Sequence, residues 1–156
     1  MAISLSESRA FPATPEHVFD LLFSVPPQRV FTRRHGPIPP LREVRDDGAR
    51  FAEPGDSRTL VLADGGSMLE TLTEVDRPHG FGYRLTEFTG PLKPLTERVE
   101  GRWTVEPAGT GARVTWSWRL HPRGRVGALG LSAFAKFWPG YARKGLGDLE
   151  RLILES

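Results

Sequence analysis

The chain has 156 residues, 38% of them hydrophobic and 26% charged, which is enough for one domain with its own core and too few for two. The net charge is only +2, with Lys and Arg interleaved among Asp and Glu, so no nucleic-acid partner is expected; the absence of cysteine excludes disulfides and thiolate metal sites. No stretch approaches the roughly 20 apolar residues of a spanning helix, and the N-terminus lacks a basic start followed by an apolar run, so a single soluble, cytoplasmic domain over residues 1–156, without integral membrane association, is expected.

The first ten residues alternate, with Ile3 and Leu5 on one side and Ser4 and Ser6 on the other, which predicts a strand. Thr14 then suits an N-cap, Pro15 the first helical position and Glu16 the positive end of the dipole. Val18, Phe19, Leu22 and Phe23 follow at helical spacing until Pro26 and Pro27 stop the helix. A second short helix is expected over Pro27 to Phe31, ahead of the irregular RRHGPIPP stretch from Arg33 to Pro40.

From Leu41 to Leu120 the signals are those of antiparallel sheet. Strands are predicted over 41–45, 57–63, 67–75, 81–88, 96–105 and 113–120. Turn chemistry separates them: DDG at Asp46, ADGG at Ala63, DRPHG at Asp76, TGPLKP at Thr89 and EPAGTG at Glu106. No helix-length pattern intervenes, so the sheet is a meander of six to seven strands. After HPRGRVG, the residues Phe134, Phe137, Tyr141, Leu149 and Leu152 share a helical stripe, flanked by Leu146 and Ile153, with Pro139 starting or kinking the main part. Lys144 with Asp148, and Arg151 with Glu155, are spaced for ion pairs on the other side.

The VTWSWRL stretch, Val114 to Leu120, places two indoles on one face of one strand. Pairing Val105 with Val114 across EPAGTG brings Trp103 opposite Trp116, Gly101 opposite Trp118 and Val99 opposite Leu120. The reverse face then sets Glu100 against Arg119, as a cross-strand ion pair, and Arg102 against Ser117. One alternative is a solid core filled by the tryptophans. The other is a cavity, because a sheet curled around one helix encloses more volume than the helix fills, particularly where Gly145 and Gly147 leave its stripe bare. Gly101 would supply the room beside Trp118.

Three stretches carry a family resemblance: FPATPEHVFDLLFSV from Phe11, LETLTEVDRPHGFGYRL from Leu69 and GRWTVEPAGTGARVTWSWRL from Gly101. With the order strand, two helices, six strands and long helix, the chain resembles the START-like helix-grip superfamily (SRPBCC), particularly its polyketide cyclase/dehydrase-like branch. The resemblance implies an α+β fold in which a curved antiparallel sheet grips the C-terminal helix, with a ligand tunnel between them. It also implies that the loops 63–67 and 88–95 stand at the tunnel mouth.

On strand 67–75, Met68, Glu70 and Leu72 share a face, and the resemblance turns that face inward. A carboxylate among apolar walls has a raised pKa and suits acid–base work on a carbonyl ligand. The opposite parity would put Leu69, Thr71 and Val75 inside and Glu70 in solvent. Tyr83, Leu85 and Glu87 share a second face, and Glu97 continues the inward parity of Val99 and Gly101. Tyr83 and Tyr141 would either orient a ligand oxygen or serve as core residues with satisfied hydroxyls. Arg58 lies in phase with Leu60 and Leu62, placed to pair with an inward Glu or an acidic ligand. The candidate ligand contacts are therefore these strand residues with Gly101, Trp103, Trp116 and Trp118, joined by Phe134, Phe137 and Tyr141; the candidate catalytic groups are Glu70, Glu87, Glu97 and Tyr83.

His17, His35, His79 and His121 have no metal-ligand spacing, so neither metal nor cofactor is expected. GGSML at Gly65 and GLSAF at Gly130 lack the closing glycine of a nucleophile elbow. Gly124, Gly127 and Gly130 have the wrong spacing for a dinucleotide loop and read as a flexible crossover. The expected partner is a small hydrophobic molecule, aromatic, polycyclic or lipid-like, with the protein a monomer or homodimer. The resemblance leaves two functional readings, a cyclase, aromatase or dehydratase acting on a polyketide-like chain and a non-catalytic carrier or sensor.

Overall fold

The computed structural model describes residues 2–46 and 50–156. Strand β1 (Ile3–Phe11) passes through Pro12 to helix α1 (Pro15–Ser24), whose Thr14 cap accepts the His17 backbone N–H at 3.2 Å. Val18, Phe19 and Leu22 are its buried face. The second helix is only a 3-10 turn at Pro27–Arg29, closed by Val30 and Phe31 N–H groups donating to the Pro27 carbonyl.

Strands β2 (Leu41–Arg45), β3 (Ser57–Leu62), β4 (Ser67–Asp76), β5 (Gly80–Thr86), β6 (Thr96–Ala108) and β7 (Gly111–Pro122) follow. They form one curved seven-stranded sheet in the order β1-β7-β6-β5-β4-β3-β2, every neighbouring pair antiparallel. This is the expected meander, with β1 joined to the outer edge of β7. The predicted DDG turn lies, beyond Asp46, outside the described residues.

The β6–β7 register is the predicted one: Val105 opposite Val114, Trp103 opposite Trp116, Gly101 opposite Trp118 and Val99 opposite Leu120. Trp103 and Trp116 are buried and Trp118 is half-buried. On the outer face Arg119 stands opposite Glu100, but the carboxylate is taken by His121 at 2.6 Å and Arg98 at 3.6 Å. Arg98 reaches it from two residues back along β6, and Arg98's cross-strand partner His121 reaches it diagonally from β7.

Two helices close the chain. Residues 124–135 are not a flexible crossover but helix α2 (Gly124–Ala135), followed by α3 (Trp138–Glu155). The glycine spacing is a packing device: a Cβ at Gly127 would sit 2.5 Å from the Leu95 carbonyl oxygen, and one at Gly130 would sit 2.7 Å from the Leu95 side chain. Arg123 fixes the same junction, its backbone N–H donating to Leu95 O at 2.9 Å and its Nε to the carbonyls of Lys93 and Thr96. In α3, Tyr141, Leu146, Leu149, Leu152 and Ile153 are buried as their spacing predicts. Asp148 is buried too, rather than paired with Lys144 on a solvated face. It receives Arg33 at 3.0 Å and Thr32 at 3.3 Å, while Lys144 Nζ donates to the Arg34 carbonyl, so the helix clamps the 32–34 segment.

Candidate functional site

The sheet, α1, α2 and α3 enclose a cavity of about 380 Å³. From β3 it is lined by Arg58, Leu60 and Leu62, and from β4 by Met68 and Glu70. Strand β5 supplies Phe81, Tyr83 and Leu85; β6 and β7 supply Trp103, Trp116 and Trp118. Phe134, Phe137, Tyr141 and Leu149 come from the helical end of the chain. The 88–95 loop and Asp64 and Gly66 complete the rim, as the resemblance implied.

Stacked aromatics make the floor. The Trp103 and Trp116 rings lie 4.9 Å apart and nearly parallel, and Trp118 stacks on Phe134 at 6.4 Å. Behind them Trp138, fully buried, tilts against Trp116 at 4.9 Å and Trp118 at 5.8 Å. Each such pair contributes on the order of 1 kcal/mol beyond its burial and holds the floor in one arrangement.

Gly101 does not line the cavity. It sits between Tyr83 on β5 and Trp118 on β7, and any Cβ there would overlap the Tyr83 ring. The room expected for a ligand is taken by a phenol. The Tyr83 oxygen accepts the indole N–H of Trp116 and that of Trp118, each at 2.8 Å. Both lone pairs are thereby used, and among the described residues no protein oxygen accepts the phenol's own hydrogen. Burial and the nearby Glu70 charge hold the hydroxyl far above its ordinary pKa, so it is a neutral donor. Tyr141 is likewise raised by burial.

Glu70 is inward and buried. Arg58 Nε donates to its Oε1 at 2.6 Å, and the guanidinium lies 3.8 Å from the centre of the Phe51 ring. Burial raises the carboxyl pKa; the Arg58 charge and hydrogen bond oppose it without cancelling it. Tyr83, Glu70 and Arg58 form the polar corner of an otherwise apolar chamber.

Three of the candidate residues stand elsewhere. Glu87 has φ 53°, and this left-handed residue ends the alternation of β5, so Phe88 turns in and Glu87 is exposed. A bulge between Thr96 and Arg98 reverses the parity at the start of β6, burying Thr96 and exposing Glu97. Leu72 is buried at 1% exposure but packs into the core opposite Tyr83, without reaching the cavity. Conversely, Phe31, at the end of the expected second helix, and Ile38 and Phe51, from segments with no predicted element, also line the cavity. Phe31 fills the gap expected at Gly145, where a Cβ would lie 2.8 Å from its ring, and stacks on Tyr141 at 5.5 Å. Among the described residues no group of three or more His, Asp or Glu side chains is placed to hold a metal ion.

The family model for "Polyketide cyclase / dehydrase and lipid transport" matches residues 2–153. The chain belongs to that family. With it comes membership of the START-like, SRPBCC group, in agreement with the helix-grip topology above. Among solved structures, TTHA0849 from Thermus thermophilus superposes with a TM-score of 0.73 at 21% identity, each chain 98% covered. Ara h 8.0201 gives 0.70 at 14% identity with both chains fully covered. Ginseng major latex-like protein 151 from Panax ginseng gives 0.66 at 17% identity over 98% of each chain. These likenesses establish the shared fold. No curated protein matches the chain.

Proposed function

We propose that this member of the polyketide cyclase/dehydrase and lipid transport family binds a small aromatic or polycyclic molecule that carries an oxygen acceptor. The observation that carries the reading is the chamber of about 380 Å³, walled by three tryptophans, with one unspent hydrogen-bond donor on its floor. That volume falls near the lower end of the ~300–1,000 Å³ of small-molecule sites. A ligand oxygen placed against Tyr83 supplies the acceptor that the protein lacks, and the rings supply apolar contact around the rest. Native mass spectrometry of the protein purified without detergent tests this: a retained small hydrophobic mass is expected, and a chamber empty after challenge with aromatic ketones counts against it.

A second, catalytic reading is favoured by Glu70. A carboxyl raised by burial is closer to neutrality and better suited to move a proton at a ligand carbon beside a carbonyl. Tyr83, held protonated by its burial, would hold the carbonyl oxygen rather than give up its proton. Solvent deuterium exchange at the α-carbon of a bound cyclic ketone is then expected, and Glu70→Gln should abolish it while retaining binding. Binding with no exchange in the wild type leaves the protein a carrier or sensor.

A further inference from the structure

Four large hydrophobic side chains are exposed among the described residues, and three lie on α2 and its continuation, whose Gly130, Ala133, Phe134 and Phe137 line the chamber: Val126 and Leu129, each 75% exposed, and Phe137, 40% exposed. Their spacing of three and eight residues, with Ala133 between, puts them on one stripe of α2, continued through Lys136 and Phe137, whose backbone angles stay helical. The opposite side of α2 is spoken for, since Gly127 and Leu131 are buried and Gly127 sits on Leu95. The outward stripe is therefore a second apolar face, not a misplaced core, and through Ala133 and Phe137 it runs into the chamber wall.

The charge on α2 and within the 88–96 loop has one sign, while exposed Glu87 and Glu97 flank that loop and Asp64 stands on the rim. From Pro107 to Gly147 the chain contains no Asp or Glu, and neither does the 88–96 loop on the other side of the mouth. Arg123, Arg125, Lys136 and Lys93 are all exposed there. An apolar stripe flanked by cations is the pattern of a helix that lies in the headgroup region of a membrane, apolar side chains dipping below and cations meeting lipid phosphates. No helix of the described residues is long and apolar enough to cross a membrane, and α2 needs only to lie on one.

We propose that α2 and the 88–95 loop form a lip that docks on an anionic lipid bilayer, with the chamber mouth turned to the membrane so that an apolar ligand exchanges without crossing water. The docking half stands on the lip alone; the exchange half rests on the chamber being the ligand site. Sedimentation with vesicles of phosphatidylglycerol and phosphatidylcholine in equal parts, or of phosphatidylcholine alone, tests it beside a fluorenone titration in vesicle-free solution. The wild type should bind the anionic vesicles and bind the neutral ones far more weakly. Val126→Ser with Leu129→Ser should weaken anionic-vesicle binding by at least about tenfold, and Arg125→Gln with Lys136→Gln by about fivefold for each cation removed. All four positions are exposed and lie outside the chamber lining, so melting temperature and fluorenone binding should stay at wild-type values. Absence of wild-type binding to anionic vesicles, or equal binding by both double variants, overturns the lip. So does a wild-type dimer that the Val126 and Leu129 changes dissociate, since a second copy would then cover the stripe. Docking without fluorenone binding would instead keep the lip and remove the chamber reading.

Discussion

The two ends of the chamber are built on opposite rules. At the floor, Tyr83, Trp116 and Trp118 are tied by two hydrogen bonds of 2.8 Å, the rings stack, and Gly101 lets the phenol lie flat on the sheet. At the mouth, α2 rests on Leu95 through Gly127 and Gly130, and its Val126 and Leu129 face solvent. In the proposed function, a preorganised floor with one free donor would discriminate among ligands, whereas the apolar mouth would admit them. Substitutions at the floor should therefore alter stability and selectivity together, and those at the mouth should alter exchange with little effect on stability.

The largest effect is expected at the polar corner. Arg58→Met leaves Glu70 buried without its partner, which should cost about 3 kcal/mol at neutral pH in urea unfolding. The pH dependence has a definite sign. Glu70 is raised in the fold above its ordinary 4.5, so the folded state favours the protonated acid. Loss of Arg58 raises it further. The penalty is thus absent below the unfolded value, grows as pH rises through the folded value and is complete above it. A variant equally destabilised on acidification would show that Glu70 is not the cause.

Gly101→Leu should cost roughly 2 kcal/mol or more, since the new side chain must displace the Tyr83 ring. Unchanged melting would mean that the phenol is not seated there. Tyr83→Phe orphans two indole donors and should cost about 2 kcal/mol, with a shift in tryptophan emission. At the mouth, Gly130→Ala presses α2 against the movable end of the Leu95 side chain and should cost only about 1 kcal/mol while speeding ligand release in stopped-flow measurements. A loss as large as that at Gly101 would erase the distinction between the two ends.

The contrast also explains what could be read from the sequence. The β6–β7 ribbon was legible pair by pair because both faces had to make sense at once, and a one-residue slip would have exposed the indoles. Alternation put Glu70 on one face with Met68 and Leu72, but it was the family resemblance that turned this face inward, where Glu70 is buried. That logic failed where the period breaks locally: at the left-handed Glu87 and at the bulge beside Glu97, neither of which alternation announces. Gly101 was read as open space because its missing side chain shows in sequence, while the neighbour that fills it is set by the β5–β6 register. Helix α2 was missed for a related reason. Three glycines have low helix propensity, and the close approach of two of them to Leu95 is visible only in three dimensions. Phe31, Ile38 and Phe51 line the chamber from irregular segments, where no periodicity tells which way a side chain points.

The account turns on a chamber that accepts an aromatic ligand and spends Tyr83 on its oxygen. Fluorenone and fluorene have nearly the same shape and differ by a carbonyl in place of a methylene, so titrating both while following tryptophan emission isolates that oxygen. Fluorenone should saturate with micromolar affinity, worth about 8 kcal/mol, and bind at least about tenfold more tightly than fluorene. Equal affinities would contradict the role of Tyr83, and no saturable change with either compound would contradict the chamber itself.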